Sequence, residues 1–119
     1  MFRCYIVEND KTIRVVQGWG RGYVVIPEGN VLHGLGTIDL DLDVHGGVTW
    51  AESAKNTGSV PEWIKDTDWI IGFDTSHGGN NPLYHNVRYV ELQTNKLMIE
   101  LLLLEHKLNI MESRNEDLL

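Results

Sequence analysis

The feature that most constrains the fold is a change of hydrophobic period near Asn86. Before it, apolar residues come in short runs and alternations broken by Gly, Pro, Asn and Asp. After it, Val87, Val90, Leu97, Leu101, Leu104 and Leu108 are spaced by threes, fours and sevens, with good helix formers between them. Strands first and one long helix last define an α+β chain. At 119 residues there is room for one core and not for two. The expectation is a single domain over 1–119, with its core in about 2–108 and an acidic, frayed tail at 112–119. Its mainly antiparallel sheet, of about five strands, packs on one long C-terminal helix that Asn86 caps and that ends near Leu108.

The strand segments follow from local pattern. Phe2–Val7 and Thr12–Gln17 flank Glu8-Asn9-Asp10-Lys11, a polar stretch suited to a hairpin turn. Arg21–Pro27 is rich in Val and Ile and stops at Pro27-Glu28-Gly29-Asn30. In Thr37–Val44, Ile38, Leu40, Leu42 and Val44 alternate with Asp39, Asp41 and Asp43, the cleanest period-2 signal in the chain. Val48-Thr49-Trp50 reads as a strand returning from a tight turn, and Trp69–Phe73 as a short apolar strand ending at Asp74. Glu52–Gly58 reads as a loop, Pro61–Lys65 as one helical turn, and Thr75–His85 as an irregular Gly/Asn-rich loop. The run Leu101–Leu104 makes the helix apolar on more than one face, which predicts a homo-oligomer formed through that helix.

Composition narrows the function classes. A hydrophobic fraction of 42% with 23% charged residues suits a globular protein rather than a disordered one. The one cysteine, Cys4, sits in an apolar run and fits a reducing compartment. The N-terminus enters strand-like sequence without a leader pattern, and Leu101–Leu104 is far short of the about 20 apolar residues of a membrane span, so a soluble, cytoplasmic protein is expected. Seventeen acidic against ten basic residues give a net charge of −7, with no Lys/Arg cluster. Bulk nucleic acid is therefore an unexpected partner, since binding it gains mainly from phosphate neutralisation. A pocket for a small anionic ligand is compatible with the same charge.

Two segments carry the chemistry: Asp43-Val44-His45-Gly46-Gly47 and Asp74-Thr75-Ser76-His77-Gly78-Gly79. On a strand, Asp39, Asp41, Asp43 and His45 share one face at roughly 6.5–7 Å intervals, which places Asp43 and His45 at one rim; for Asp39 and Asp41 a solvated sheet face is the plainer reading, and His45 reads as a site residue. The second segment follows an apolar strand directly, where scaffolds commonly display catalytic groups. Gly-Gly after each His lets backbone N–H groups approach an anion, although glycines with a capping Asp also simply make turns. The candidate catalytic residues are His45, His77, Asp74 and Asp43, and the candidate ligand-binding residues are Gly46, Gly47, Thr49, Ser76, Gly78 and Gly79.

Three chemistries fit. In one, His45, His77 and Asp43 or Asp74 ligate a divalent metal in a hydrolase, although no recognised ligand spacing is present and no metal site is assigned. In the second, a phosphodiesterase-like hydrolase uses one His as general base and the other as general acid, each oriented by an Asp. Two-histidine phosphoesterases carry His, apolar, Ser/Thr, apolar, whereas both histidines here precede Gly-Gly. In the third the segments only bind, with one of Trp19, Trp50, Trp63, Trp69, Tyr23 and Tyr84 stacking on a base for about 1–3 kcal/mol. Core packing is the plainer place for each of these aromatics. His33, His85 and His106 lie outside the two segments.

Gly22–Gly29, Asp43–Thr49, Gly72–Gly78 and Val87–Glu91 together resemble a family of small uncharacterised proteins encoded by bacteriophages and prophages, over roughly residues 20–105. Where that family usually has an Asp after its second motif, this chain has Asn80. The resemblance implies a protein acting in the cytoplasm of an infected host, with His45, Gly46, Gly47, Asp74 and His77 as motif positions. By association it implies a counter-defence role: capturing or cleaving a nucleotide-like signal, or inhibiting a host defence protein by direct contact.

Overall fold

The computed structural model describes residues 1–118, with side chains described through Arg114. Strands β1 (Arg3–Glu8), β2 (Gly20–Ile26), β3 (Trp50–Ser53) and β4 (Trp69–Asp74) form one antiparallel sheet in the order β1-β2-β4-β3. A short helix α1 (Lys11–Arg14) links β1 to β2, and a long helix α2 (Val87–Leu118) packs across the sheet. The α+β class is as the change of period requires. The sheet has four strands, not five, because two segments with strand-like sequence fold otherwise.

Thr12–Gln17 is the first correction. Asp10 caps α1, its Oδ1 accepting from the N–H groups of Thr12 and Ile13 at 3.1 and 3.2 Å, and this local bond outweighs β-branching in a segment with no sheet to join. Val15 and Val16 are left 74% and 67% exposed.

Thr37–Val44 is the second. It forms a 3-10 turn at Thr37–Asp39 and then two consecutive turns, Leu42 N–H donating to Leu40 O and Val44 N–H to Leu42 O, each at 3.0 Å. Such i→i+2 bonds repeat every two residues, so they bury Leu40 and Val44 while exposing Asp41 and Asp43 with the same period as a strand. Ile38, which a strand would bury with them, is 95% exposed. The helix also differs from expectation: α2 runs past Leu108 through Leu118, since no Gly or Pro interrupts it, and takes in the acidic stretch 112–118, while Leu119 lies outside the described residues.

The two sheet faces divide the molecule. Val24, Ile26, Ile71 and Phe73 face α2 and pack on Val90, Leu97 and Leu101, with Leu32, Leu40 and Val44 closing the layer and Cys4 and Ile6 at its edge. Gly22 sets the depth of this docking: a Cβ there would lie 2.0 Å from Thr94 Oγ1 and 2.5 Å from the Phe73 ring. The opposite face carries Tyr5, Val7, Tyr23, Val25 and Ile70, covered in part by Ala54 and Ile64 of the β3–β4 connection. Among the described residues no helix is long and apolar enough to cross a membrane.

Candidate functional site

The end of β4, the loop after it, the turn at 43–47 and the first turns of α2 meet at one end of the sheet. Phe73 and Asp74 close β4 on opposite faces, so side chains gathered there reach both the helix side and the open side. Asp74 is fixed by Thr49 Oγ1, which donates to Oδ2 at 3.0 Å, and by Ser76 N–H, which donates to Oδ1 at 2.9 Å. His77 Nδ1 donates to the same Oδ1 at 2.9 Å. Burial alone raises the Asp74 pKa, but the bonds from His77, Ser76 and Thr49 outweigh it and hold the carboxyl below its usual value of 3.8. Asp74 thus remains a carboxylate that commits the His77 proton to Nδ1 and leaves Nε2 as the free basic nitrogen.

His45 lies behind His77, with ring centroids 5.3 Å apart and planes tilted by 32°. Its backbone N–H donates to Gln93 Oε1 at 2.9 Å. Tyr89 OH lies 2.7 Å from Nδ1 and Asn80 Oδ1 lies 3.3 Å from Nε2. Because an amide oxygen only accepts, Nε2 donates to Asn80 and Tyr89 donates to Nδ1. Burial, with smaller contributions from His85 and His77 and against the Asn80 bond, pushes the His45 pKa below 6.5, so the ring is neutral at pH 7. His85 completes the cluster, 4.8 Å from His45 and 4.9 Å from Tyr89, with Nδ1 accepting from Asn81 N–H at 3.0 Å.

Gly46 is part of this construction. At φ +68° it adopts a conformation that side chains avoid, and a Cβ there would lie 2.8 Å from His77 Cε1. The first Gly-Gly pair therefore both turns the chain and admits the second histidine. Gly78 and Gly79 are exposed with no neighbour near a notional Cβ, and Asn80 N–H donates to His77 O at 3.1 Å, so this pair makes a turn.

His45, His77, Asp74, Thr49, Ser76 and Gly46 are brought together, and Gly47 stands beside them in the turn. Asp43 is not: its side chain is 82% exposed and pairs with Lys96 Nζ at 3.0 Å. The strand that was to align it with His45 does not exist. Asp39 and Asp41 are likewise exposed.

Sequence reasoning set His85 outside the two segments and took Asn80 only as a departure from the family pattern, and it missed Tyr89 and Arg21. Tyr89 and Gln93 are one helical turn apart, a spacing that marks a shared face and was legible. Arg21 was found only through sheet register, which sets it opposite Asp74 on the open face. An open groove of about 680 Å³ lies there, lined by Arg21, Asp74, Ser76 and His77 together with Glu8 and Asp10. Two of its carboxylates have their own partners, Glu8 in Arg14 and Asp10 in the cap of α1.

Among the described residues no three His, Cys, Asp or Glu side chains are arranged to hold a metal ion. The chemistry of the donors agrees. Both His45 nitrogens and the Nδ1 atoms of His77 and His85 already have protein partners. Compared with protein-family models, curated proteins and solved structures, the chain matches none.

Proposed function

We propose that the protein holds a small anionic, nucleotide-like ligand in the groove beside Asp74 and His77, with His77 Nε2 passing a proton to or from it. The observation that carries this reading is the Asp74–His77 hydrogen bond of 2.9 Å, whose carboxylate is itself fixed by Thr49 and Ser76. That chain fixes the tautomer and orientation of a histidine whose side chain is 42% exposed, as a proton-transfer group requires. Arg21 on the same groove supplies positive charge for the anion. His45 acts as a positioning residue behind His77, because both its nitrogens are engaged by Tyr89 and Asn80.

The resemblance to phage proteins supports a counter-defence role, in which such a ligand is a host signal. Incubation with a panel of cyclic nucleotides tests the chemistry. Wild type is expected to bind at least one and return a cleaved product, His77→Gln to lose cleavage by 100-fold or more, about the contribution of one general acid–base group, and Arg21→Gln to lose binding. Recovery of intact nucleotide after tight binding reduces the reading to capture, and no binding overturns it.

We further propose that α2 pairs with a second copy of the chain. Leu92, Ile99, Leu103 and Ile110 are 49%, 54%, 61% and 42% exposed and form one stripe on the side of α2 away from the sheet. Their spacings of seven, four and seven are symmetric about Leu101, so two antiparallel copies bring Leu92 against Ile110 and Ile99 against Leu103, twice each.

A further inference from the structure

The face of the sheet away from α2 holds two buried polar atoms without any hydrogen-bond partner, Tyr5 Oη and Arg21 Nε. Buried donors are nearly always satisfied, by protein, water or a ligand, and each exception calls for an explanation. Both belong to residues lining one hollow of about 300 Å³, closed on its other side by Tyr23 and the loop Thr57-Gly58-Ser59. Burial, reinforced by Tyr23, pushes the Tyr5 pKa up to about 12, so its hydroxyl keeps its proton and can donate it in a hydrogen bond. Arg21 makes no ion pair among the described residues, and the neighbouring Asp74 carboxylate is already committed to His77, Ser76 and Thr49.

Register explains the grouping. Tyr5 pairs with Tyr23, Tyr23 with Gly72 and Gly72 with Trp50, so a row of aromatics crosses the sheet next to the pair Arg21 and Asp74. Gly72 interrupts the row for a steric reason: a Cβ there would lie 2.3 Å from the Tyr23 ring, which therefore lies over that glycine. Tyr5 stacks on Tyr23 with centroids 5.0 Å apart. Trp50 is pinned at its edge, Nε1 donating to Thr57 Oγ1 at 3.1 Å, while the residue remains 37% exposed. A second hollow of about 200 Å³ lies between Trp50, Tyr23, Arg21 and Asp74. Arg21 is common to both hollows and to the His77 groove.

We infer that Arg21 and Tyr5 anchor the anionic group of a ligand whose flat ring lies against Tyr23 and Trp50, the chemical class of a nucleoside monophosphate. This deepens the proposed function and rests on it, since Arg21 is what connects this aromatic wall to His77. The orphaned donors select an acceptor-rich group such as a phosphate, which the Arg fork suits. The aromatic wall selects a planar ring, by stacking that tolerates any base.

Calorimetric titration of the full chain with AMP, GMP, ribose 5-phosphate and inorganic phosphate tests the assignment. AMP or GMP is expected to bind at least about tenfold more tightly than ribose 5-phosphate, the share of one stacked base. Tyr5→Phe and Arg21→Gln are each expected to weaken nucleotide binding by about tenfold or more. Trp50→Ala is expected to weaken the nucleotides and leave ribose 5-phosphate unchanged. Without ligand, Tyr5→Phe is expected to melt at the wild-type temperature or above, because it removes a hydroxyl that has no protein partner. A lower melting temperature would show the hydroxyl to be structural and overturn its assignment as a ligand donor. Equal binding of AMP and ribose 5-phosphate overturns the ring site, and undiminished AMP binding in Tyr5→Phe and Arg21→Gln overturns the anchor. AMP bound and recovered alongside uncleaved cyclic nucleotides overturns proton transfer by His77 while supporting this site. Cyclic-nucleotide cleavage without any AMP binding does the reverse.

Discussion

At the residue scale, the cluster is held by exchanges of single protons. Tyr89 donates to His45, His45 to Asn80, and His77 to Asp74, so each ring nitrogen involved has a fixed role, and His77, which lines the groove, keeps Nε2 outside these bonds. A pH dependence follows. His45 has a folded pKa below its ordinary value of 6.5, so the folded state favours the neutral ring. The stability this contributes is complete above about pH 6.5 and is lost as pH falls through the depressed folded value. Asp74 also has a lowered pKa, but its contribution is complete above 3.8 and leaves the window from pH 7 to 5 to the histidine. Thermal melts at pH 7 and pH 5 are expected to show a larger drop for wild type than for His45→Gln. An equal drop in both would mean that another group carries the acid sensitivity.

The elements show how closely this small sheet is built around its glycines. α2 crosses β2 at Gly22, where Thr94 Oγ1, itself donating to Val90 O at 2.7 Å, and the Phe73 ring occupy the space a methyl group would need. Gly22→Ala must displace a helix, a buried ring or both, and is expected to cost about 1–3 kcal/mol. Urea denaturation measures it, and a change below about 0.5 kcal/mol, the scatter of neutral surface substitutions, would mean that the helix docks less tightly than described. Because Phe73 adjoins Asp74 and lies 6.5 Å from His45, the same variant is expected to shift the His45 imidazole resonances.

The whole molecule is unusually long for its mass. Its principal extents are 56 × 27 × 22 Å, and the 32 residues of α2 span about 48 Å at 1.5 Å each, well beyond a sheet whose strands have four to seven residues. A helix that overhangs its own core, with an apolar stripe opposite the sheet, has its second face available for a partner. Sedimentation at micromolar concentration is expected to give a dimer, converted to monomer by Ile99→Glu with Leu103→Glu while circular dichroism stays unchanged. A monomeric wild type would remove the pairing. If the stripe served a host protein instead, wild type would sediment alone as a monomer and the double variant would lose only that protein.

Much of this organisation was written in local pattern. The strands at Arg3–Glu8, Gly20–Ile26 and Trp69–Asp74 and the start of α2 at Asn86 follow from β-branched runs, a terminal Asp and an N-cap whose Oδ1 accepts from Tyr89 N–H at 3.0 Å. The doubled His-Gly-Gly signal marked two histidines that do meet, because glycine is required where Gly46 lies under His77. What local pattern could not decide was which period-2 segment finds a neighbour to pair with. Thr12–Gln17 and Thr37–Val44 alternate or branch like strands, yet a capping Asp10 and a series of two-residue turns satisfy their backbones locally. That outcome removed Asp43 from the site. The members the sequence hid, Arg21, His85 and Tyr89, are joined only by the β2–β4 register and by the docking of α2, since the contacts that define them span distant parts of the chain and leave no mark on the residues nearby.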